Sequence, residues 1–462
     1  MEEVKETLRR GFAKMRGSAG AFLPMEEPLL RKSYALPPAP AKGQSERTKW
    51  QDKRRDKRQE EKRKSGGEAE LGSGPFPVRG GSFKIWEGGP MDAYLLLENG
   101  AEFHGCFIGP ERELISEIVF NTSMSGYLEL VTDPSYTGQA VVLSYPLIGN
   151  YGVCREDMES ERPLLSALLV RELAELESNW RSEGNLRDFL IRYDIPGISG
   201  LDTRAVIKQL REHGTMNGLI SGRHYEGEER EALLRRIRDY RVRDAVRRAG
   251  RKEISEYPPS GDGGMWTAER PRFRVALFDF GAKQNMIRSL QKRGCHVTLY
   301  PPATRAESIL RSAPDGILLS NGPGDPAEER ELIGEVRRLY ESEIPIFAIC
   351  LGHQLMALAV GAKTYRLKYG HRGGNQPVKD IESGRVYISS QNHGYAVDAK
   401  SMNPEIAAEL FRNVNDGSNE GFRYLRKRIL SVQFHPEACP GPGDSAFLFD
   451  RFMDMMEAGH ER

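Results

Sequence analysis

The spacing of apolar and polar positions changes along this chain, and the changes mark its parts. Ordered patterning begins directly after Met91. Ala93-Tyr94-Leu95-Leu96-Leu97 reads as a strand, Asn99-Gly100 as a hairpin turn, and Glu102 to Ile108 as the partner strand. Glu117-Ile118-Val119-Phe120 and Gln139 to Tyr145 are further strands. Two polar, aromatic, turn-rich stretches lie between them: Asn121 to Tyr127 (NTSMSGY) and Thr132 to Tyr136 (TDPSY). Loops carried on a rigid scaffold are frequent homes for ligand contacts, although a capped turn explains each of these equally well. Helices follow. One is predicted over Leu186 to Tyr193. A second starts with Asp202 as N-cap, carries Ala205, Val206, Ile207 and Leu210, and ends near Gly214. Arg235 to Arg251 is rich in charge and predicts a surface helix, and Pro258 to Gly264 reads as an interdomain linker.

From Phe273 the pattern alternates. Near-continuous apolar runs of strand length (Phe273 to Phe280, Val297 to Tyr300, Gly316 to Ser320, Ile344 to Ile349) are separated by helical stretches (Gly281 to Arg293, Ala306 to Arg311, Ala327 to Ser342). Strands alternating with helices imply a parallel sheet covered on both faces, with ligands gathering at the carboxyl ends of the strands. The expected fold class is therefore α/β: a mixed α/β N-terminal domain (91–250), a linker (251–272), and a doubly wound, mostly parallel C-terminal domain (273–462).

Candidate chemistry sits at those strand ends. In Pro345 to Leu358 an apolar strand turns at Ala348-Ile349-Cys350-Leu351-Gly352 and continues as a helix from His353. A reactive side chain between a buried strand and a helix start has the layout of a nucleophile elbow. Small flanking residues permit the tight turn, and the positive helix N-terminus favours a thiolate. Taken alone, a lone cysteine is as readily a buried structural thiol. Asn321-Gly322-Pro323-Gly324-Asp325-Pro326 also follows a strand directly, and its glycines allow close backbone approach to a ligand. No Gly-x-x-x-x-Gly-Lys-Ser/Thr sequence occurs, so no P-loop is expected. Downstream, Gln391 to Tyr395 (QNHGY) follows an alternating strand, and Ser431 to Glu437 (SVQFHPE) delivers His435 with Glu437 two residues on. Cys350, His435 and Glu437 supply a thiol nucleophile, a proton carrier and a carboxylate to orient the imidazole. His435 and Cys439 could instead pair on a metal, but further Cys or His ligands are not close in sequence, and no metal site is assigned.

Charge and cysteine usage narrow the classes. The net charge of +1 hides an asymmetry. Residues 1–90 hold 20 Lys/Arg against 13 Asp/Glu, a net +7, which leaves the remainder at −6. Lys49 to Lys64 is almost wholly polar, and Pro-rich and Gly/Ser-rich pieces surround it. Such composition cannot bury enough apolar surface to fold, so 1–90 is expected to be a disordered basic tail, with Met91 a plausible true start. A nucleic-acid or targeting arm is the sharper reading of the tail. The overall charge gives no case for nucleic acid. Five scattered cysteines without a Cys-x-x-Cys pair point to a reducing, cytoplasmic setting and against a disulfide framework. No signal peptide and no apolar run of about 18 residues is visible, so no membrane partner is expected.

The motifs together resemble the class I (triad) glutamine amidotransferases through Ile349 to Gln354 (ICLGHQ) and His435-Pro436-Glu437. Within that class they resemble the carbamoyl-phosphate synthase small chain. Ser320 to Pro326, Tyr369 to Asn375 (YGHRGGN), Gln391 to Asp398, His435 to Pro442, Phe120 to Tyr127, Thr132 to Tyr136, Gly197 to Arg204 (GISGLDTR) and Asn217-Gly218 all fit. The likeness spans about 91–462 and excludes the tail. It implies that Cys350 attacks the glutamine carboxamide, His435 shuttles the proton and Glu437 orients His435. The oxyanion would be held by the N–H groups of Leu351 and Gly324. Glutamine-binding positions would be Ser135, Gly322, Gly324, Leu351, Gln354, Asn392, Gly394 and Tyr395, at a cleft between the two domains. Two residues depart from the family pattern: Ala348 replaces a glycine and Tyr395 a phenylalanine. The resemblance further implies no cofactor on this chain. A large-chain partner would use ATP and Mg²⁺ to make carbamoyl phosphate for pyrimidine and arginine synthesis, in a heterodimer that can assemble further. The rival readings are the glutaminase component of another amidotransferase, such as an anthranilate or GMP synthase, and a non-catalytic regulatory subunit.

Overall fold

The computed structural model describes residues 91–260 and 265–460. The expected disordered tail, and part of the Pro258 to Gly264 stretch, lie outside these residues.

The N-terminal part is built on a strand barrel. Strands β1 (Asp92–Leu97) and β2 (Glu102–Phe107) form the expected hairpin. Its turn is held by Asn99 Oδ1, which accepts from Ala101 N at 3.0 Å, and by Gly100 at φ +89°. Strands β3 (Leu114–Asn121) and β4 (Gln139–Leu143) follow, separated by helix α1 (Tyr127–Thr132). The short β5 (Leu147–Ile148) pairs only with β7 (Glu172–Leu173). Then come β6 (Ala167–Leu169), helix α2 (Leu186–Arg192), β8 (Gly197–Ser199), helix α3 (Thr203–His213) and β9 (Met216–Ser221). Seven strands close in the order β1-β2-β8-β6-β4-β3-β9, and β9 returns to β1 through pairs such as Leu95 with Ile220. Closure leaves no exposed sheet edge. Side chains alternate between two cores. Ile118, Ala140, Val142 and Leu169 pack with Val206 and Leu210 of α3. Val119, Val141 and Leu168 pack with Leu128 of α1 and Phe189 of α2.

α3 begins as its sequence predicts: Asp202 Oδ1 accepts from Ala205 N at 3.0 Å, and Gly214 stands at its end with φ +98°. The single surface helix expected over Arg235 to Arg251 is instead two helices, α4 (Gly227–Asp239) and α5 (Ala245–Ala249). The break has a local cause. Asn217 Nδ2 donates to the carbonyls of Ile237 and Tyr240, and Arg241 Nη1 to those of Arg238 and Tyr240, which ends α4. Asp244 then turns left-handed at φ +52° before α5.

The C-terminal part is a ten-stranded sheet. Its strands are β10 (Ser255–Tyr257), β11 (Phe273–Phe278), β12 (Cys295–Tyr300), β13 (Gly316–Leu319), β14 (Ile346–Ile349), β15 (Thr364–Asp380), β16 (Val386–Val397), β17 (Ala407–Asn413), β18 (Asn419–Tyr424) and β19 (Ile429–Val432). The order is β10-β12-β11-β13-β14-β19-β18-β17-β15-β16. The five strands β12-β11-β13-β14-β19 run parallel, and the outer strands join antiparallel. β10 lies inside the stretch read as linker and pairs with β12. The intervening helices are α6 (Gln284–Gln291), α7 (Ala306–Arg311), α8 (Arg330–Glu341), α9 (Leu351–Ala359) and α10 (Phe447–His460).

The parallel strands are apolar at nearly every position because helices cover both faces. Ile317, Leu319, Ile346 and Ala348 pack with Ile309 of α7, Val336 of α8 and Leu355 of α9. Leu318, Phe347 and Ile349 pack with Ile287 of α6 and Phe452 of α10. This arrangement presents the carboxyl ends of β11, β13 and β14 together. The barrel meets them through the two loops singled out above. Thr122 N donates to Arg372 O at 3.4 Å and Gly374 N to Ser123 Oγ at 3.1 Å, so the Phe120 to Tyr127 stretch lies on Tyr369 to Asn375 of β15.

Candidate active site

Cys350 stands between β14 and α9 at φ +53°, ψ −104°, a backbone conformation side chains rarely adopt. The turn is pinned on both sides. Cys350 N donates to Val432 O at 2.8 Å, and Cys350 O accepts from Gln354 N at 3.1 Å. Gly352 allows α9 to start this close to the sheet, since a Cβ there would lie 2.5 Å from Leu319 O. The sulfur is buried; Gln433 Nε2 donates towards it at 3.7 Å, and the thiol in turn donates towards Asn392 O at 3.8 Å.

β19 ends beside β14 and carries the chain on to His435, whose N–H donates to Ser390 O at 2.9 Å. His435 Nδ1 and Glu437 Oε1 are 2.6 Å apart, and both residues are buried. Beneath the carboxylate lies a fully buried ammonium. Lys283 Nζ is 3.1 Å from Glu437 Oε1 and donates to Ala438 O at 2.6 Å. Burial works against every one of these charges, and their neighbours override it. At His435 desolvation disfavours the imidazolium, but Glu437 and the Cys350 sulfur favour it, and its pKa is pushed up to about 10 despite Lys283. At Glu437 burial opposes ionisation, while Lys283 and His435 hold the carboxyl down at about 2. Burial of Lys283 is outweighed by Glu437, Glu159 and Asp133, so the ammonium is held above its ordinary value. His435 Nε2 is buried with no other polar partner among the described residues, which leaves the Cys350 thiol as the group it answers to.

In front of the sulfur lies a cleft of about 250 Å³ between barrel and sheet. Seven of the eight expected glutamine-binding positions line it together with Cys350: Ser135, Gly322, Gly324, Gln354, Asn392, Gly394 and Tyr395. Leu351 is the exception. Its side chain packs in the core, so any role falls to its N–H in the first turn of α9, where amides lack an intrahelical acceptor. Gly324 has φ +96°, which presents its amide in a way other residues resist. The polar side chains are held before any ligand arrives. Asp133 caps the 3₁₀ turn Pro134–Tyr136 by accepting from Ser135 N at 2.9 Å, and also accepts from Asn392 Nδ2 at 3.1 Å. Ser135 Oγ accepts from Asn321 Nδ2 at 2.8 Å. Gln354 Nε2 donates to Tyr395 O at 2.7 Å and Gln433 Oε1 at 2.9 Å. Burial, and after it the charge of Asp325, raises the Tyr395 hydroxyl above its ordinary value.

The sequence reading missed Lys283 and Glu159, and gave Asn321, Gln433 and the buried, cleft-lining Arg372 no role beyond their place in the motifs. One signal was available: Lys283 comes directly after Phe280-Gly281-Ala282, a small and apolar turn beyond the carboxyl end of β11, where a lysine is out of place unless paired. His353 lies in the elbow motif but points away, into the core. Its Nδ1 is 2.9 Å from Ser431 Oγ and its ring stacks on Phe422. Three metal-capable side chains converge elsewhere, His371, His393 and Glu420, with ligand atoms within 4.8 Å of one another. Protons satisfy most of that group. His371 lies between Asp416 (2.9 Å) and Glu420 (3.6 Å), and these carboxylates overcome burial and raise its pKa to about 9. No helix among the described residues is long and apolar enough to cross a membrane.

Two family models match the chain: "Glutamine amidotransferase class-I" over residues 276–455 and "Carbamoyl-phosphate synthase small chain, CPSase domain" over residues 95–220. A Listeria innocua protein named carbamoyl phosphate synthase small chain is 46% identical over 368 residues, spanning 79% of this chain and 97% of the relative. A protein of the same name from Syntrophotalea carbinolica is 44% identical over 375 residues, spanning 80% and 99%. Among solved structures, a glutamine amidotransferase from Thermotoga maritima is similar over 41% of this chain and 84% of its own, at 21% identity and a TM-score of 0.30. With such relatives matched almost end to end, this chain belongs to the carbamoyl-phosphate synthase small chain family.

Proposed function

We propose that this chain is the glutamine-hydrolysing subunit of a carbamoyl-phosphate synthase, with a barrel domain over 91–250 and an amidotransferase domain over 273–462. The observation that carries the reading is Cys350 on the wall of a polar cleft, with the buried His435, 2.6 Å from Glu437, electrostatically coupled to its sulfur. Glutamine binds with its carboxamide at Cys350, held by Ser135, Gln354, Asn392, Gly394 and Tyr395. The sulfur attacks the amide carbon while its proton rests on the His435 imidazolium. The tetrahedral oxyanion is met by the N–H groups of Leu351 and Gly324. Losing one such donor typically costs about 3–4 kcal/mol of transition-state stabilisation. Collapse expels ammonia, protonated by the His435 imidazolium, and leaves a γ-glutamyl thioester. Water, deprotonated by His435, then releases glutamate and restores the thiol. Glu437 keeps the imidazole in one tautomer and stabilises its charged form.

The ammonia passes to a large ATP-dependent chain, which combines it with bicarbonate for pyrimidine and arginine synthesis in the cytoplasm. The test is glutamine-dependent carbamoyl phosphate formation with a large chain added, comparing wild type with Cys350→Ser and using ammonia as an alternative donor. The variant is expected to lose glutamine use and retain ammonia use. Full glutamine-dependent activity in Cys350→Ser sinks the mechanism. Glutamine hydrolysis that never supports synthesis with any large chain sinks the client reaction.

A further inference from the structure

Glu159 belongs to the barrel part of the chain, yet its side chain lies wholly buried at the start of α6 in the sheet part. Its backbone bridges the two. Glu159 N donates to Thr132 Oγ1 at 2.9 Å, beside the loop that carries Asp133 and Ser135, and Glu159 O accepts from Gln284 N at 2.8 Å. The carboxylate accepts from Asn285 N at 3.0 Å and from Asn285 Nδ2. α6 has Lys283 at its N-cap and no side-chain cap of its own, so Glu159 supplies the missing acceptor from the other part of the chain. The helix dipole, Lys283 and the Asn285 bonds favour a carboxylate there, but burial outweighs them and pushes the Glu159 carboxyl up to about 7. Lys283 N in turn donates to Asn321 Oδ1 at 3.2 Å, and Asn321 Nδ2 donates to Ser135 Oγ. A ring of hydrogen bonds, closed by the peptide links Thr132-Asp133 and Lys283-Gln284, thus runs Thr132, Asp133, Ser135, Asn321, Lys283, Gln284, Glu159 and back to Thr132. It joins the glutamine-side loop to the lysine under the triad.

Glu159 does not line the cleft, and its backbone bond to Thr132 survives any change of side chain, so a part played by its carboxyl group runs through Lys283 at the N-cap of α6. Lys283 faces Glu437, Glu159 and Asp133. Glu437 holds the ammonium at 3.1 Å, and Glu159 shares its charge from the barrel side. Without Glu159 the ammonium acts with less opposition on Glu437 and on the imidazolium beyond it.

We propose that Glu159 is a positioning residue for the triad, through which the docked barrel completes the charge environment of Lys283, Glu437 and His435. The proposal rests on the glutaminase reading for its kinetic consequence but not for its physical one.

The full chain is compared with Glu159→Gln and Glu159→Ala, each also in a Lys283→Met background. Both substitutions leave the backbone bonds of residue 159 in place, so the seam and the Ser135 loop should persist. The expected result is a kcat for glutamine hydrolysis lowered roughly tenfold in both variants, the scale of losing one charged interaction, with KM within twofold of wild type. In the Lys283→Met background neither substitution should lower kcat further, because the effect has lost its carrier. Equal kcat in wild type and Glu159→Gln, or losses that multiply with that of Lys283→Met, would overturn the proposal and leave Glu159 a structural clip. The rate of Cys350 alkylation by iodoacetamide reads the same coupling without glutamine. Should wild type fail to hydrolyse glutamine, a Glu159-dependent alkylation rate that Lys283→Met abolishes keeps this proposal and discards the function. An alkylation rate indifferent to Glu159 discards this proposal whatever the glutaminase result.

Discussion

Replacing Glu437 by glutamine removes one charge and almost no volume, which makes it a sharp probe of how the triad is held. Two histidines of this protein bracket the size of the effect. His353 and His435 are both completely buried. His353 has Ser431 Oγ at one nitrogen and no carboxylate, and burial alone drives its pKa down to about 3. At His435 the same burial is overridden by Glu437 and Cys350, and the value stands at about 10. In Glu437→Gln the imidazolium loses its main support while Lys283 still opposes it, so His435 should become a neutral ring across the working pH range. Breaking a buried ion pair typically costs about 3–5 kcal/mol. Lys283 keeps Glu159 and Asp133 as counter-charges, which argues for the lower end, about 3 kcal/mol of stability. The kinetic cost should be greater. Both the tautomer and the charged intermediate depend on Glu437, and loss of the carboxylate in comparable triads lowers kcat by roughly 10⁴.

The sign with pH follows from the direction of each shift. The folded pKa of His435 is raised above its ordinary value. Its contribution is therefore fully present below about pH 6.5 and is lost as the pH rises through about 10. Glu437 is depressed, so its contribution is present above about pH 4.5 and is lost as the pH falls through about 2. The stability gap between wild type and Glu437→Gln should accordingly be widest between about pH 4.5 and 6.5 and narrow on both sides. Urea unfolding across that range and steady-state glutaminase kinetics test the two halves. A variant within tenfold of wild-type kcat, or a stability gap that does not vary with pH, refutes the reasoning that Glu437 sustains a charged His435.

Two other substitutions probe neighbouring links. Asp133→Ala removes the acceptor for Ser135 N and Asn392 Nδ2 and one counter-charge of Lys283, so KM for glutamine should rise about tenfold or more; an unchanged KM would show that the two side chains are held in place by other contacts. Gly352→Ala places a Cβ 2.5 Å from Leu319 O, a backbone atom that cannot give way, so α9 must shift. Overpacking of this kind costs about 1–3 kcal/mol, which for a chain of this size should lower the melting temperature by a few degrees and reduce kcat together; a wild-type melt and kcat would mean the elbow tolerates displacement.

What could be read from the sequence follows from where the information resides. β11, β13 and β14 are legible because burial on both faces writes an unbroken apolar run, and because helical stretches of fixed spacing separate them. The elbow is legible because a tight turn demands small residues around Cys350. α1 was missed for the opposite reason. Five of its six residues are buried, so no polar face marks its period. Closure of the barrel rests on pairs such as Leu95 with Ile220, joined across more than a hundred positions by no local signal. The break between α4 and α5 depends on an amide at Asn217, which the pattern of Arg235 to Arg251 does not contain. Lys283 and Glu159 are the instructive cases. In isolation each charged residue reads as solvated surface. Their partners, Glu437 and Ala438 O for Lys283 and Asn285 for Glu159, come from segments more than a hundred residues away and turn them into parts of a site.

The meeting of distant segments also explains why the site belongs to neither part of the chain alone. The sheet supplies Cys350, His435 and Glu437, but several polar groups around them are completed only by the barrel. Asn321 finds Ser135, Asn392 finds Asp133, and the first amides of α6 find Glu159. Lys283 would keep only Glu437 as a counter-charge without the barrel's Glu159 and Asp133. Buried donors and charges left without partners are costly, so withdrawing the barrel would either flood these positions with water or let the side chains collapse onto one another. Either outcome moves the imidazole relative to the sulfur. The barrel is closed and tied down by its own two cores, so it presents Asp133, Ser135 and Glu159 as fixed points. Under the proposed mechanism, preorganisation of Cys350 therefore depends on the seam between the two parts as much as on the elbow itself.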